Sequence, residues 1–286
     1  MNRNKKHKEL ELFYTNATPA FKQWAPDLNE VGLYSMHIGY QDWQNPVENS
    51  LSTLQMSQEI IKASTIEEGQ TILDAGCGVG SLAFAITNLY ASTRVYGIDI
   101  AKSHILSATK HTSPTTFSSP KFSIQDYEQT SFPNEIFDRI IFCESYIHSQ
   151  NKNNLIQESH RILKNHGKIT ISDIFMHSNE LTTREINALE EVEEIMCIPM
   201  ISHLNEIIET LFQNNFSNIH PVNITDHVVN PTEHDPNLED INLENSLAHM
   251  EELLIDLQNL MKSGKAGYYI LTAQKTISLP NTQSLF

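Results

Sequence analysis

Basic residues are scarce in this chain: 19 Lys and Arg stand against 35 Asp and Glu in 286 residues, and none lies between Glu185 and Met261. A formal net charge of −16 repels a nucleic-acid backbone or an anionic membrane surface unless a local basic stripe offsets it. Lys5, Lys6 and Lys8 form only a short cluster at the N-terminus. Neither a nucleic-acid partner nor a stable membrane association is therefore expected. Cysteine is equally sparse. Cys77, Cys143 and Cys197 are odd in number and far apart, which argues against a disulfide framework and a Cys-rich metal site. His177, Glu180, His234 and Asp235 carry ligand atoms at spacings that match no compact centre, so no metal is expected. No run approaches the roughly 20 apolar residues of a membrane span, and MNRNKKHKEL is not followed by the apolar stretch of a secretory leader. These absences together predict a reduced, cytoplasmic protein without repeats, heptads or low-complexity tracts.

What is present is a folding chain, 40% hydrophobic and 19% charged, long enough for one domain with insertions. Residues 9–44 read as a helical arm ending in an aromatic loop, Tyr34-Ser35-Met36-His37-Ile38-Gly39-Tyr40, and Leu54 to Ala63 as a helix stopped near Gly69. Short apolar runs then alternate with helical patterns, the rhythm of a doubly wound sheet. Strands are expected at Thr71–Ala75, Arg94–Ile98, Lys121–Gln125, Phe137–Cys143, Lys168–Asp173 and Tyr268–Ala273, several of them apolar on both parities as buried parallel strands are. Helices are expected at Leu82–Tyr90, Ser103–Lys110, Asn154–Leu163, Thr182–Cys197, Ser202–Asn214 and within Leu238–Met261, with turn material at Asn230-Pro231 and Asp235-Pro236.

The strongest local signal is Ile72-Leu73-Asp74-Ala75-Gly76-Cys77-Gly78-Val79-Gly80, a strand that runs into three alternate glycines and then a helix. Such a turn lets main chain approach a ligand with no Cβ in the way. No Lys-Ser or Lys-Thr follows the glycines, which disfavours a triphosphate loop. Asp74 sits where a carboxylate repels a pyrophosphate but accepts hydrogen bonds from a ligand ammonium, directly or through water. Asp99, 19 residues past Gly80, closes the second strand, where an acid accepts from two ribose hydroxyls; capping of the next helix is the alternative. Asp126 follows the third strand and can accept from an adenine amino group with Tyr127 or Ile100 packed on the ring, or it is a plain turn acid.

These motifs, with Phe137-Asp138-Arg139-Ile140-Ile141, resemble in order those of the class I S-adenosylmethionine-dependent methyltransferases over residues 50–175. The resemblance implies an α/β fold, a Rossmann-like seven-stranded mostly parallel sheet with an N-terminal helical arm and an inserted helical lid, and S-adenosyl-L-methionine as cofactor. It places Asp74, Gly76 and Gly78 at the methionine portion, Asp99 at the ribose and Asp126 at the adenine, with Cys77, Ile100, Tyr127 and Cys143 also against the cofactor. His37-Ile38-Gly39-Tyr40, Glu144-Ser145-Tyr146-Ile147-His148 and Gly267-Tyr268-Tyr269 look like the small-molecule branch that includes sterol, tocopherol and natural-product enzymes. In that branch the arm closes over the cofactor, so Tyr14 and Tyr40 are expected to flank its methionine end. Leu163-Lys164-Asn165-His166-Gly167 departs from the usual Pro- and Gly-rich turn, and Asn214-Asn215-Phe216 from the usual small residue and Gly before Phe.

The expected division is an arm and aromatic loop over 1–50, a cofactor core over 51–175, lid and substrate segments over 176–263, and a final strand and tail over 264–286. Methyl transfer needs an aligned nucleophile and often a base. Glu144 and His148 follow the fourth strand and share a face if that segment is helical. His148 is the candidate base, since imidazole takes a proton near neutral pH, or it packs in a polar core. Glu144 is a candidate acceptor toward substrate or cofactor. His37 orients the arm loop or lies at the surface, and Asp226-His227 falls, by resemblance, near the substrate. Ile195, Met196, Ile198, Met200 and Ile201 line an apolar chamber or form lid core. The acceptor is expected to be a neutral or cationic small molecule, methylated on O, N or C, in secondary metabolism, by a possible homodimer. An RNA methyltransferase and a cofactor-binding protein without turnover are the competing readings; the first requires a basic groove.

Overall fold

The computed structural model describes residues 3–24, 34–112, 119–229 and 255–276. Seven strands form one sheet: β1 (Thr71–Ala75), β2 (Arg94–Asp99), β3 (Lys121–Ile124), β4 (Phe137–Cys143), β5 (Leu163–Met176), β6 (Phe216–Asn223) and β7 (Ala266–Lys275). Their order is β3-β2-β1-β4-β5-β7-β6. β1 to β5 run parallel, and β7 is antiparallel to both of its neighbours. This is the Rossmann-like, mostly parallel sheet that the motifs imply. The helices are α1 (Arg3–Trp24), α2 (Asn49–Ala63), α3 (Ser81–Leu89), α4 (Lys102–Lys110), α5 (Lys152–Ile162), α6 (Thr183–Ile195), α7 (Leu204–Gln213) and the short α8 (Thr225–Val228), with a further helical stretch at 255–262.

Strand period two sorts the core into two layers. Ile72, Ile141, Tyr268 and Ile270 point to the face covered by Met56 and Ile60 of α2, Leu82 and Ile86 of α3, Val192 of α6, and Leu257 with Leu260. Leu73, Ile140, Ile171 and Leu271 point to the other face, against Leu155 and Ile156 of α5 and Ile207 and Leu211 of α7. Every residue of β1 is buried, because helices cover the sheet on both sides of it. The rim helices carry their own start signals: Asn151 caps α5 by accepting from Asn154 N, and Thr182 and Glu185 form a capping box on α6.

Two elements depart from the sequence reading. β6 has no apolar alternation to announce it, being Phe216-Ser217-Asn218-Ile219-His220-Pro221-Val222-Asn223, and its register slips between Ser217 and His220. It lies at the sheet edge, where a proline and polar residues on both parities are tolerated. β5 begins five residues earlier than its apolar run, at Leu163. Leu163 pairs with Phe137, the register then jumps to Arg139 opposite Lys168, and His166 takes a left-handed φ of 62° inside the resulting bulge. The Leu163–Gly167 departure thus alters a strand entry and leaves the sheet intact. Of the helix expected within Leu238–Met261, the part before 255 lies outside the described residues, as do Asn230-Pro231, His234 and Asp235-Pro236.

No helix among the described residues is long and apolar enough to cross a membrane.

Candidate active site

The cavity opens beyond the C-terminal ends of β1, β2 and β4, where β1 has neighbours on either side, the usual place for a ligand in an open α/β sheet. Its empty space is about 960 Å³ with the open mouth included. Its wall brings together Tyr14, Asp74, Gly76, Cys77, Gly78, Asp99, Ile100, Asp126, Tyr127, Cys143, Glu144 and His148, every candidate site residue except Tyr40. Tyr40 is elsewhere: its ring stacks on His227 at 4.1 Å, with Gln41 N donating to His227 O. That contact ties the aromatic loop to α8 and keeps the phenol out of the cavity wall.

The floor is the turn after β1. Gly76 N and Cys77 N both donate to Ile98 O, at 2.8 and 2.9 Å, which bends the chain across the tip of β2. Gly76 holds φ at 78°, and a Cβ there would stand 2.4 Å from the Ser145 Cβ. Only glycine meets both the angle and the contact. Asp99 braces the turn: its Oδ2 accepts from Gly78 N at 2.9 Å and its Oδ1 from Ala101 N at 2.7 Å. It therefore anchors both the glycine turn and the entry to α4. Asp74 is 1% exposed, and its Oδ2 has no hydrogen-bond partner. Burial first, and the nearby Asp99 charge second, raise its pKa to about 7. An orphaned, cavity-lining carboxyl of this kind is poised for a cation.

α1 forms the roof. The Tyr14 hydroxyl lies 2.6 Å from His148 Nε2, His7 Nε2 sits 3.3 Å from Asp126 Oδ2, and Lys102 N donates to Glu11 at 3.2 Å. Phe21 and Met36 pack on Tyr34 and Val79, pinning arm and loop to the glycine turn.

A family model described as a methyltransferase domain matches residues 66–220, more than half of the chain and the whole of the region that builds this floor. The chain is a methyltransferase. Its ordered cofactor motifs and sheet order put it in the class I, S-adenosylmethionine-dependent group, and S-adenosylmethionine is its cofactor. It is 24% identical to the O-methyltransferase resE of Aspergillus sclerotiorum over 89% of this chain and 95% of that protein. It is 26% identical to the sterol 24-C-methyltransferase of Pneumocystis carinii, over 73% of this chain and 55% of that protein. Its fold matches a geranyl diphosphate methyltransferase solved with geranyl diphosphate and sinefungin at a TM-score of 0.78 and 13% identity, covering 95% and 100% of the two chains.

In this methyltransferase the segment after β4 is not the helix that would put Glu144 and His148 on one face. Glu144 has a left-handed φ of 47°, and only Tyr146–His148 form a single 3-10 turn. The two side chains still share the cavity. Glu144 Oε1 accepts from Ile38 N at 2.7 Å and from the Tyr268 hydroxyl at 2.8 Å, so it clamps the aromatic loop to β7. Burial raises its pKa to about 8.

The turn that presents His148 is held from below by charges the sequence reading did not single out. Lys152 Nζ donates to the carbonyls of Tyr146, Ile147 and Ser149 at 2.7, 2.7 and 3.1 Å. Asp173 accepts from Ile147 N, and Glu128 Oε1 from the Ser149 hydroxyl, Gln150 N and Asn151 N. Burial first, then the Lys152 charge, lower the His148 pKa to about 4, so its imidazole is neutral at neutral pH.

Sequence reasoning also missed His7, Met36, Ser145, Gln150 and His104 in the wall. His37 lines the cavity as well, with Nε2 3.1 Å from Ser57 Oγ and Nδ1 3.0 Å from Ile38 O, which makes it the loop-orienting residue. Ile195, Met196, Ile198, Met200 and Ile201 do not line the cavity: Ile198 and Ile201 are core, Ile195 and Met196 pack against that core, and Met200 is exposed. Among the described residues no three His, Cys, Asp or Glu side chains gather as metal ligands.

Proposed function

We propose that this methyltransferase alkylates an O, N or C nucleophile of a small metabolite, presented to the cofactor beside the Tyr14–His148 pair. The observation that carries the reading is a single cavity in which the acid-lined glycine turn and the Tyr14–His148 pair face each other. When bound, S-adenosylmethionine supplies an electrophilic methyl group on a sulfonium. The residues suit such a molecule: Asp74 has a vacant oxygen for its ammonium, Gly76 and Gly78 turn the main chain through left-handed φ along the cavity floor, and Asp99 offers its free lone pairs to a ribose. Asp126, Tyr127 and Ile100 bound the adenine end, and Cys77 and Cys143 the remaining wall.

His148 keeps an unprotonated nitrogen toward the cavity, which orients an acceptor O–H or N–H by taking its hydrogen bond. The phenol of Tyr14 already occupies that nitrogen, so the acceptor either displaces it or hands its proton through it. A pKa near 4 makes His148 a weak base, and its main service is alignment. The arm over 1–50 closes the core of 51–175, and the lid over 176–263 selects the acceptor. A net charge of −16 favours a neutral or cationic one. The wide spacing of the three cysteines supports a cytoplasmic setting, and similarity to a fungal O-methyltransferase supports secondary metabolism. A homodimer is part of the same reading.

The test is incubation with S-adenosylmethionine labelled in its methyl group and fractionated metabolite extracts. Label is expected in a small, extractable neutral or cationic product. Label appearing in RNA, or cofactor binding with no transfer to any fraction, would favour the competing readings.

A further inference from the structure

His104 stands in the wall of the cavity on the first turn of α4, 2% exposed. Neither of its ring nitrogens has a hydrogen-bond partner. Nδ1 is 3.7 Å from Asp99 Oδ2, too far for a hydrogen bond. The edge of the ring is packed by Tyr14, with centroids 5.4 Å apart and planes at 69°. An imidazole serves apolar packing poorly here, because burying its polar atoms unpaired carries a desolvation cost; an apolar side chain at this position would avoid that cost. The surroundings narrow what completes it. Asp99 has spent one lone pair of each oxygen on Gly78 N and Ala101 N, and a carboxylate accepts about four hydrogen bonds. Beside it, the His104 imidazole offers two ring nitrogens, at least one of them an N–H donor. Together they present two kinds of partner within a few ångströms, a match for two neighbouring hydroxyls, each of which donates and accepts.

We propose that His104 is a second sugar-binding residue, which hydrogen-bonds one hydroxyl of the cofactor's ribose while Asp99 takes the other. The inference rests on the cofactor reading above and adds to it a residue of this chain's own. It also explains why Tyr14 packs on His104: the same side chain of the arm that meets His148 covers the sugar, so arm closure and sugar recognition share one contact.

The experiment is calorimetric binding of S-adenosylhomocysteine and of its 2′-deoxy and 3′-deoxy counterparts to the wild type, His104→Leu and His104→Gln. His104→Leu is expected to weaken S-adenosylhomocysteine about tenfold, the equivalent of one hydrogen bond worth ~1.4 kcal/mol. Against one of the two deoxy ligands the same substitution should cost less than about twofold, because the partner hydroxyl is already gone. His104→Gln, which keeps a polar tip, should recover part of the loss and serves as the working variant if the leucine protein does not fold. Equal losses for all three ligands would overturn the proposal in favour of a packing role, as would no loss for any. Failure of the wild type to bind S-adenosylhomocysteine would instead overturn the cofactor reading beneath it.

Discussion

The Tyr14 hydroxyl and His148 Nε2 are 2.6 Å apart although 134 residues separate them in the chain. One belongs to the arm and the other to the turn after β4, so the bond latches the roof of the cavity to its wall. His148→Ala is expected to lower kcat about 10²-fold, the loss expected when an acceptor is misaligned, while the affinity for S-adenosylhomocysteine changes less than about threefold. Tyr14→Phe, which loses the bond but keeps the ring, should lower kcat by about tenfold. Single-turnover transfer to the acceptor and calorimetry separate the two quantities. Unchanged turnover in His148→Ala would remove this residue from the chemistry.

Gly76 is sensitive for a reason internal to the protein. Its Cβ position is occupied by Ser145 and its φ is 78°, so Gly76→Val strains the turn before any ligand arrives. A loss of at least ~1–3 kcal/mol in stability is expected, with no measurable binding of S-adenosylhomocysteine. Thermal unfolding with and without that ligand checks both. A variant as stable as the wild type that still bound it would contradict this geometry.

Proton linkage offers a test of Asp74. Its pKa of about 7 in the free protein falls when a ligand ammonium pairs with it, so binding releases a proton below that pH. Affinity for S-adenosylhomocysteine should therefore rise with pH toward 7, with a limiting slope of about tenfold per unit, and level off above. Asp74→Asn should flatten the slope. The stability of the free protein moves the opposite way. Asp74 and Glu144 are both raised by burial, so the stability they lend as neutral acids is complete below about pH 4 and is lost as pH climbs through about 7 and about 8. Chemical denaturation across pH, with and without the ligand, reads both trends.

Lys152 acts on the site through His148 and is a positioning residue. Lys152→Met would take the ammonium donor from the carbonyls of Tyr146, Ile147 and Ser149, of which Tyr146 O keeps Ser149 N, at a cost of about 1–3 kcal/mol for each carbonyl left unpaired. It also removes a charge that depresses the His148 pKa, so the acid limb of the pH–rate profile should move upward from about 4 toward the ordinary imidazole range. Lys152→Arg should restore the charge and much of the limb position. A profile that stays in place while only stability falls would reduce Lys152 to a structural role.

Much of the cofactor half was legible because its physics is local. A buried strand, a sharp turn and a helix start lie within a dozen consecutive residues around Gly76, and the acids at 74, 99 and 126 each sit at a strand's end, so position along the chain implies position in the cleft. β6 escaped because an edge strand needs no apolar alternation, and Tyr40 because nothing near it in the chain announces His227 as its stacking partner.

The sequence by itself determined the parallel strands and β7, the glycine turn and the acidic residues around it, since those follow from hydrophobic period, backbone freedom and charge over short spans. Only the tertiary structure decided which side chains face one another across it. Tyr14 against His148, Glu144 between the loop at Ile38 and β7 at Tyr268, and His104 beside Asp99 are meetings of segments distant in the chain. Such contacts, and the burial that moves their pKa values, exist only once the chain has closed on itself.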